Sequence, residues 1–174
     1  MEVYLVIAVI IIALALYFRS FKRQKNEMLT VMEKYQAKYC LVCDYMTGIN
    51  ELPQGIPCYL LATEKELLIV TINTPVIKVT LEYSKIRMFQ HFDKNYIEKY
   101  FIYSEYVPIA VDQNKTITYI ITRYSNDDNE VINILFSSGT LPITNALNID
   151  QMKEDNIFDY INARINKQET TIKL

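Results

Sequence analysis

The chain has 174 residues, 51% hydrophobic and 22% charged: enough apolar material for one packed domain with an appendage, and too much for a disordered chain. Its 18 basic and 20 acidic residues give a net charge of −2, but setting aside residues 1–25, with four of the basic residues and Glu2, leaves 14 basic against 19 acidic, about −5. A body of that sign lacks the basic footprint from which nucleic-acid binders draw most of their affinity, so nucleic acid is not an expected partner.

The chain begins with an uncharged run from Val3 to Phe18, preceded by Glu2 and followed by Arg19, Lys22, Arg23 and Lys25. A secretory signal has the opposite order, with positive charge ahead of the apolar stretch. Ala13-Leu14-Ala15 has the form of a cleavage site, yet Leu16, Tyr17 and Phe18 continue the apolar run beyond it. The expectation is therefore a retained transmembrane helix over residues 1–21. Val3–Phe18 as a helix would span roughly 24 Å of a hydrocarbon core of about 30 Å. Extension through Phe21, with Arg19 snorkelling to the headgroups, supplies most of the rest, and Tyr4 and Tyr17 suit the two interfaces. The basic cluster Arg19, Lys22, Arg23 and Lys25 sets the topology by the positive-inside rule. The N-terminus is then outside, and the chain is a single-pass protein of the cell membrane with a cytoplasmic C-terminal domain.

Residues 22–49 are expected as a helical connector, since 21–39 contain neither Gly nor Pro. Phe21, Met28 and Tyr35 repeat every seven residues, as do Lys25, Met32 and Tyr39. Such a seam can pair two chains into a homodimer through residues 21–39. The alternative is that the stripe packs on the chain's own domain, because it covers fewer than three heptads.

From residue 56 the pattern becomes strand-like. "IPCYLLAT" and "ELLIVTI" are separated by Glu64-Lys65, a hairpin interval, and Asn73-Thr74-Pro75 makes a turn. In "VIKVTLEY", Ile77, Val79, Leu81 and Tyr83 alternate with Lys78, Thr80 and Glu82. In "KIRMFQHF", Ile86, Met88 and Phe92 are expected on one face, opposite Arg87 and His91. "TITYIITRY" and "EVINILF" flank the turn cluster Ser125–Asn129, with Ile117, Tyr119 and Ile121 alternating on one strand and Ile132, Ile134 and Phe136 on the other. "NIFDYINARINK" closes the domain as an amphipathic helix, with Ile157, Ile161 and Arg164 on one side, joined by Phe158 and Ile165. Asn156 is its expected N-cap, with Asp159 in the first turn. Residues 168–174 are expected to form a flexible tail. The fold class is mainly β (α+β): a transmembrane helix, then an antiparallel body closed by a C-terminal helix.

The opening "LPQGIPCYLLATEKELLIVTI", the continuation "VTLEYSKIRMF" and the hairpin "YIITRYSNDDNEVINILF" leading into the last helix resemble a pleckstrin-homology-like domain, nearest the bacterial PH and GRAM types, over residues 50–167. The resemblance implies a bent seven-stranded barrel capped by the helix, and a binding or scaffolding module without catalysis. It does not account for residues 93–111. Phosphoinositide-binding members carry basic residues around the first hairpin; here "TEKEL" places Glu64 and Glu66 beside Lys65, so no headgroup ligands are assigned.

No catalytic constellation stands out. Cys40 and Cys43 have the spacing of half a zinc site, with only Cys58 and His91 to complete it, and three cysteines read more simply as buried thiols in a reducing compartment. His91 has no nucleophile or orienting acid in a recognisable motif. Asp127, Asp128 and Glu130 lack the ligand ladder of a calcium loop, and Gly48, Gly55 and Gly139 form no phosphate-binding motif. No metal or cofactor is expected. Tyr96, Tyr100, Tyr103 and Tyr106 recur every three or four residues and are the expected partner surface, against the alternative that they pack on the body. The expected function is a membrane-anchored, non-enzymatic interaction or scaffolding module that engages another membrane or membrane-associated protein. Binding of a lipid or small hydrophobic ligand at the membrane surface is the alternative.

Overall fold

Glu2–Lys34 contains no helix breaker and forms one uninterrupted helix, α1. Gln36, in the left-handed region at φ 53°, ends the turn that follows, where the Tyr35 N–H donates to the Val31 carbonyl and the Gln36 N–H to that of Glu33. The structure, a computed structural model, describes residues 2–72, 75–92, 119–127, 130–137 and 150–166, with side chains from Val6 onward except those of Glu154 and Asn166. It divides into two units, residues 1–36 and 37–174.

The first unit is α1 itself. Among the described residues no helix is long and apolar enough to cross a membrane. From Val6 to Phe18 the uncharged run covers some 20 Å of helix at about 1.5 Å per residue, before Arg19, Lys22 and Arg23. The expected seam is also shorter than seven-residue spacing suggests, because Tyr35 and Tyr39 lie beyond the helix and Tyr39 opens a strand.

The second unit is an antiparallel sheet of seven strands with short helical elements. The strands are β1 Tyr39–Thr47, β2 Ile56–Ala62, β3 Glu66–Thr71, β4 Lys78–Glu82, β5 Ile86–Phe92, β6 Tyr119–Ser125 and β7 Val131–Ser137. Their order across the sheet is β4-β3-β2-β1-β7-β6-β5, so among the described strands β4 and β5 are its edges. A 3-10 turn, Tyr83–Lys85, leads from one edge to the other, and a second, Asp150–Met152, leads into the last helix, α2, Glu154–Asn166.

The sheet begins earlier than the pattern indicated. Tyr39–Thr47, expected within a helical connector, is the central strand β1, pairing with β2 on one side and β7 on the other. Cys40 and Leu41 are both buried, so burial on two faces hides the alternation that would mark a strand.

One core lies on the sheet face toward α2. Leu41, Cys43 and Tyr45 of β1 meet Cys58, Leu60 and Ala62 of β2, Leu67 and Ile69 of β3, Leu81 of β4, and Ile134 and Phe136 of β7. Ile157, Phe158, Ile161 and Ile165 of α2 complete it. The expected β4 alternation holds: Leu81 and Tyr83 are in this core with Ile77 and Val79 against it, while Lys78, Thr80 and Glu82 are exposed.

On β5 the expected facing is corrected. A register shift between Ile86 and Met88 reverses the alternation, so that Phe89 joins Ile86 in the core and Met88 and Phe92 turn to the other face. There they pack with Met46 against Tyr119, Ile121 and Leu135. Tyr119 and Ile121 do alternate as expected, but on this second face; Ile120 is the core residue of β6. Ile117 lies outside the described residues. α2 starts two residues before the expected cap, which puts Asn156 inside the first turn, where its Nδ2 donates to the Asp150 carbonyl at 2.8 Å. Asp159 accordingly falls in the second turn.

Gly48 explains how β1 meets β7. It sits at φ 115° beside a register shift between Tyr45 and Thr47, and a Cβ there would overlap the Asn133 carbonyl and Ile134 Cα. The Tyr45 hydroxyl fixes the same corner by donating to the Ile49 carbonyl at 2.8 Å and accepting from its N–H at 2.6 Å.

Candidate interaction surfaces

At 100° per residue, Arg19, Lys22, Arg23 and Lys25 fall within about half the circumference of α1. The first three are exposed and Lys25 is half-buried. Arg23 Nε donates to Glu27 Oε1 one turn on, at 2.8 Å. Ahead of this cluster, apolar side chains are exposed in every direction around the helix: Ile7 is 48% exposed, Val9 58%, Ile10 53% and Ile12 59%.

The Cys40-x-x-Cys43 spacing does not make a chelate. In a strand, residues three apart point to opposite faces. Cys43 turns into the core opposite Cys58 of β2, with the two sulfurs 3.6 Å apart, while Cys40 lies opposite Leu61 outside that core. All three thiols are free and buried, and burial pushes those of Cys40 and Cys43 up, away from the reactive thiolate. Among the described residues no group of three His, Cys, Asp or Glu side chains could hold a metal ion.

His91 lies on the α2 side of β5, its ring stacked on Phe158 with centroids 3.8 Å apart and planes 20° from parallel. The stack joins β5 to α2.

The turn between β2 and β3 is organised by Thr63. Its hydroxyl accepts from the N–H groups of Lys65 and Glu66 and donates to the Glu66 carbonyl, while Tyr83 Oη donates to the Thr63 carbonyl. Glu64 forms an ion pair with Lys38. Since β1 precedes it, "TEKEL" belongs to the second hairpin. The first spans Gly48–Gly55 and contains Glu51 and no basic residue.

Asp127, an expected turn acid, reaches the ammonium of Lys85, which also donates to Glu82 at 3.2 Å. The bond to Asp127, and then that to Glu82, raises the Lys85 pKa and ties the β6–β7 turn to the corner between β4 and β5. Glu130 is engaged with Asn126 across the same turn. Asp128 lies outside the described residues, as do Tyr96, Tyr100, Tyr103 and Tyr106 of the expected partner surface and the tail at 168–174.

The feature that sequence reasoning missed is the place of β4 at the end of the order, where no further described strand pairs with it. Its alternation was readable, but edge position depends on the order of all seven strands. No protein-family model matches the chain, and no curated protein matches it.

Proposed function

We propose that the chain is a single-pass membrane protein whose seven-stranded domain faces the cytoplasm as a pleckstrin-homology-like, non-enzymatic interaction or scaffolding module. The observation that carries this reading is α1, exposed and apolar on every side from Val6 to Phe18 and followed at once by four basic residues. In water such a surface would be a severe association liability, whereas lipid satisfies it. The sequence lengthens the run with Val3, Tyr4 and Leu5, and snorkelling of Arg19 extends it toward Phe21. The basic cluster then holds the following domain on the cytoplasmic side. The pleckstrin-homology-like assignment is supported by the meander order β4-β3-β2-β1-β7-β6-β5 and by a C-terminal helix packed over its core.

A module that recruits a membrane or membrane-associated protein fits this domain better than a carrier of a hydrophobic ligand. Tyr45, Phe89 and Phe136 are each at most 1% exposed and fill the described core with side chains. The test is a reporter fused after Leu174 that is active on one side of the membrane only, combined with sequencing of the mature N-terminus. Cytoplasmic activity with residues 1–25 intact is expected. Activity on the outer side, or loss of the leading segment, would overturn the topology.

A further inference from the structure

We propose that β4 is a self-pairing edge through which two copies of the domain join into one continuous sheet. Thr71 N–H donates to the Ile77 carbonyl at 3.0 Å, and Ile69 and Leu67 lie opposite Val79 and Leu81. Odd-numbered positions of β4 therefore turn their peptide groups toward β3, and Lys78, Thr80 and Glu82 turn theirs outward, where no described strand meets them. The same three side chains are exposed, while Val79 and Leu81 face the core.

Consider an antiparallel partner related by a two-fold axis through Thr80. Thr80 then faces Thr80 of the second copy, Lys78 faces the partner's Glu82, and Glu82 the partner's Lys78. In this register each of the three residues exchanges both backbone hydrogen bonds, and two opposite-charge pairs form on the exposed face. Sliding by one residue would misalign the outward peptide groups. Sliding by two would set Lys78 against Thr80 and leave the charges unpaired. The order Lys-Val-Thr-Leu-Glu is thus self-complementary in one register, as an isologous interface requires.

A second observation points the same way. Glu66 of β3 stands directly opposite Glu82, two like charges on neighbouring strands. Glu82 accepts from Lys85 and Ser84, yet a carboxylate retains capacity for a further donor. The partner's Lys78 would supply it on the side of Glu82 away from Glu66. The second copy is preferred over an unrelated extended peptide because this charge order is written into the edge itself.

The proposal goes beyond recruitment of another protein, and its test does not depend on topology. The full chain, purified in a mild detergent, is measured by sedimentation over a range of concentrations. The native chain is expected to dimerise; Lys78→Glu and Glu82→Lys are each expected to weaken the dimer on the order of tenfold or more, since each converts two attractive pairs to repulsive ones. The double swap should restore it. Independently of these variants, Thr80→Cys should form a disulfide dimer under a copper–phenanthroline oxidant. Lys78→Cys should not, because its two copies would lie roughly 13 Å apart at about 3.4 Å per residue. A monomeric native chain, a dimer indifferent to the single swaps, no rescue by the double swap, or equal cross-linking of the two cysteine variants would each overturn the proposal.

Discussion

Replacing Gly48 by alanine should damage the fold far more than the same change at Gly55, although both glycines have positive φ. Gly48 lies at φ 115°, where an L-residue is strained by about 1–3 kcal/mol. Its added Cβ would also overlap the Asn133 carbonyl and stand 2.7 Å from Ile134 Cα, both main-chain atoms of β7. No side chain can rotate away to relieve this, so β7 must shift from β1, adding an overpacking penalty of about 1–3 kcal/mol. The combined loss is about 2–6 kcal/mol, centred near about 4. At about 2–4 °C per kcal/mol for a chain of this size, the Tm should fall by roughly 8–16 °C at the centre of that range. Gly55, at φ 72°, has nothing within 4 Å of its hypothetical Cβ, so Gly55→Ala should cost only about 1–2 kcal/mol of backbone strain. Thermal unfolding of the two full-length variants in the same detergent, followed by circular dichroism of the sheet, makes the comparison. If Gly48→Ala unfolds within 3 °C of Gly55→Ala, the close approach of β1 and β7 is wrong, and with it the central pairing of the sheet.

Two further outcomes follow from the core. Thr122 is fully buried on the core side of β6, and its Oγ1 has no hydrogen-bond partner among the described residues. Thr122→Val keeps the shape and removes an uncompensated hydroxyl, so stability should hold or rise by about 1 kcal/mol; a loss of more than 1 kcal/mol by denaturant titration would mean that the hydroxyl is satisfied. Burial holds the Tyr83 hydroxyl protonated above the ordinary tyrosine range, and it donates to the Thr63 carbonyl at 3.0 Å. With a folded pKa above the unfolded value of about 10, its contribution is complete below pH 10 and is lost as pH rises beyond it. Tyr83→Phe should therefore cost about 1 kcal/mol at pH 7 and flatten the alkaline loss of stability; an equally steep profile in both proteins would exclude Tyr83 as its source.

What the sequence made legible was whatever depends on near neighbours. The β4 alternation from Ile77 to Tyr83 identified both its faces, and the spacing of Ile157, Phe158, Ile161 and Ile165 identified the buried side of α2. β1 was hidden because Cys40 and Leu41 are both buried and no Gly or Pro separates Tyr39 from α1. On β5, one register shift after Ile86 exchanged the two faces, so Met88 and Phe92 left the face of Ile86 and Phe89 took their place in the core. Edge position is different in kind. Nothing within Lys78–Glu82 says whether its outward peptide groups meet another strand; that is fixed by β1 pairing with β7, ninety residues away, which leaves β4 at the end of the order. Only then does the arrangement of Lys78, Thr80 and Glu82 acquire a second meaning. As an interior strand it would describe one polar face of a sheet. As an edge it presents a charge order that matches its own reverse, beside a Glu66–Glu82 pair that a lysine from a second copy would relieve.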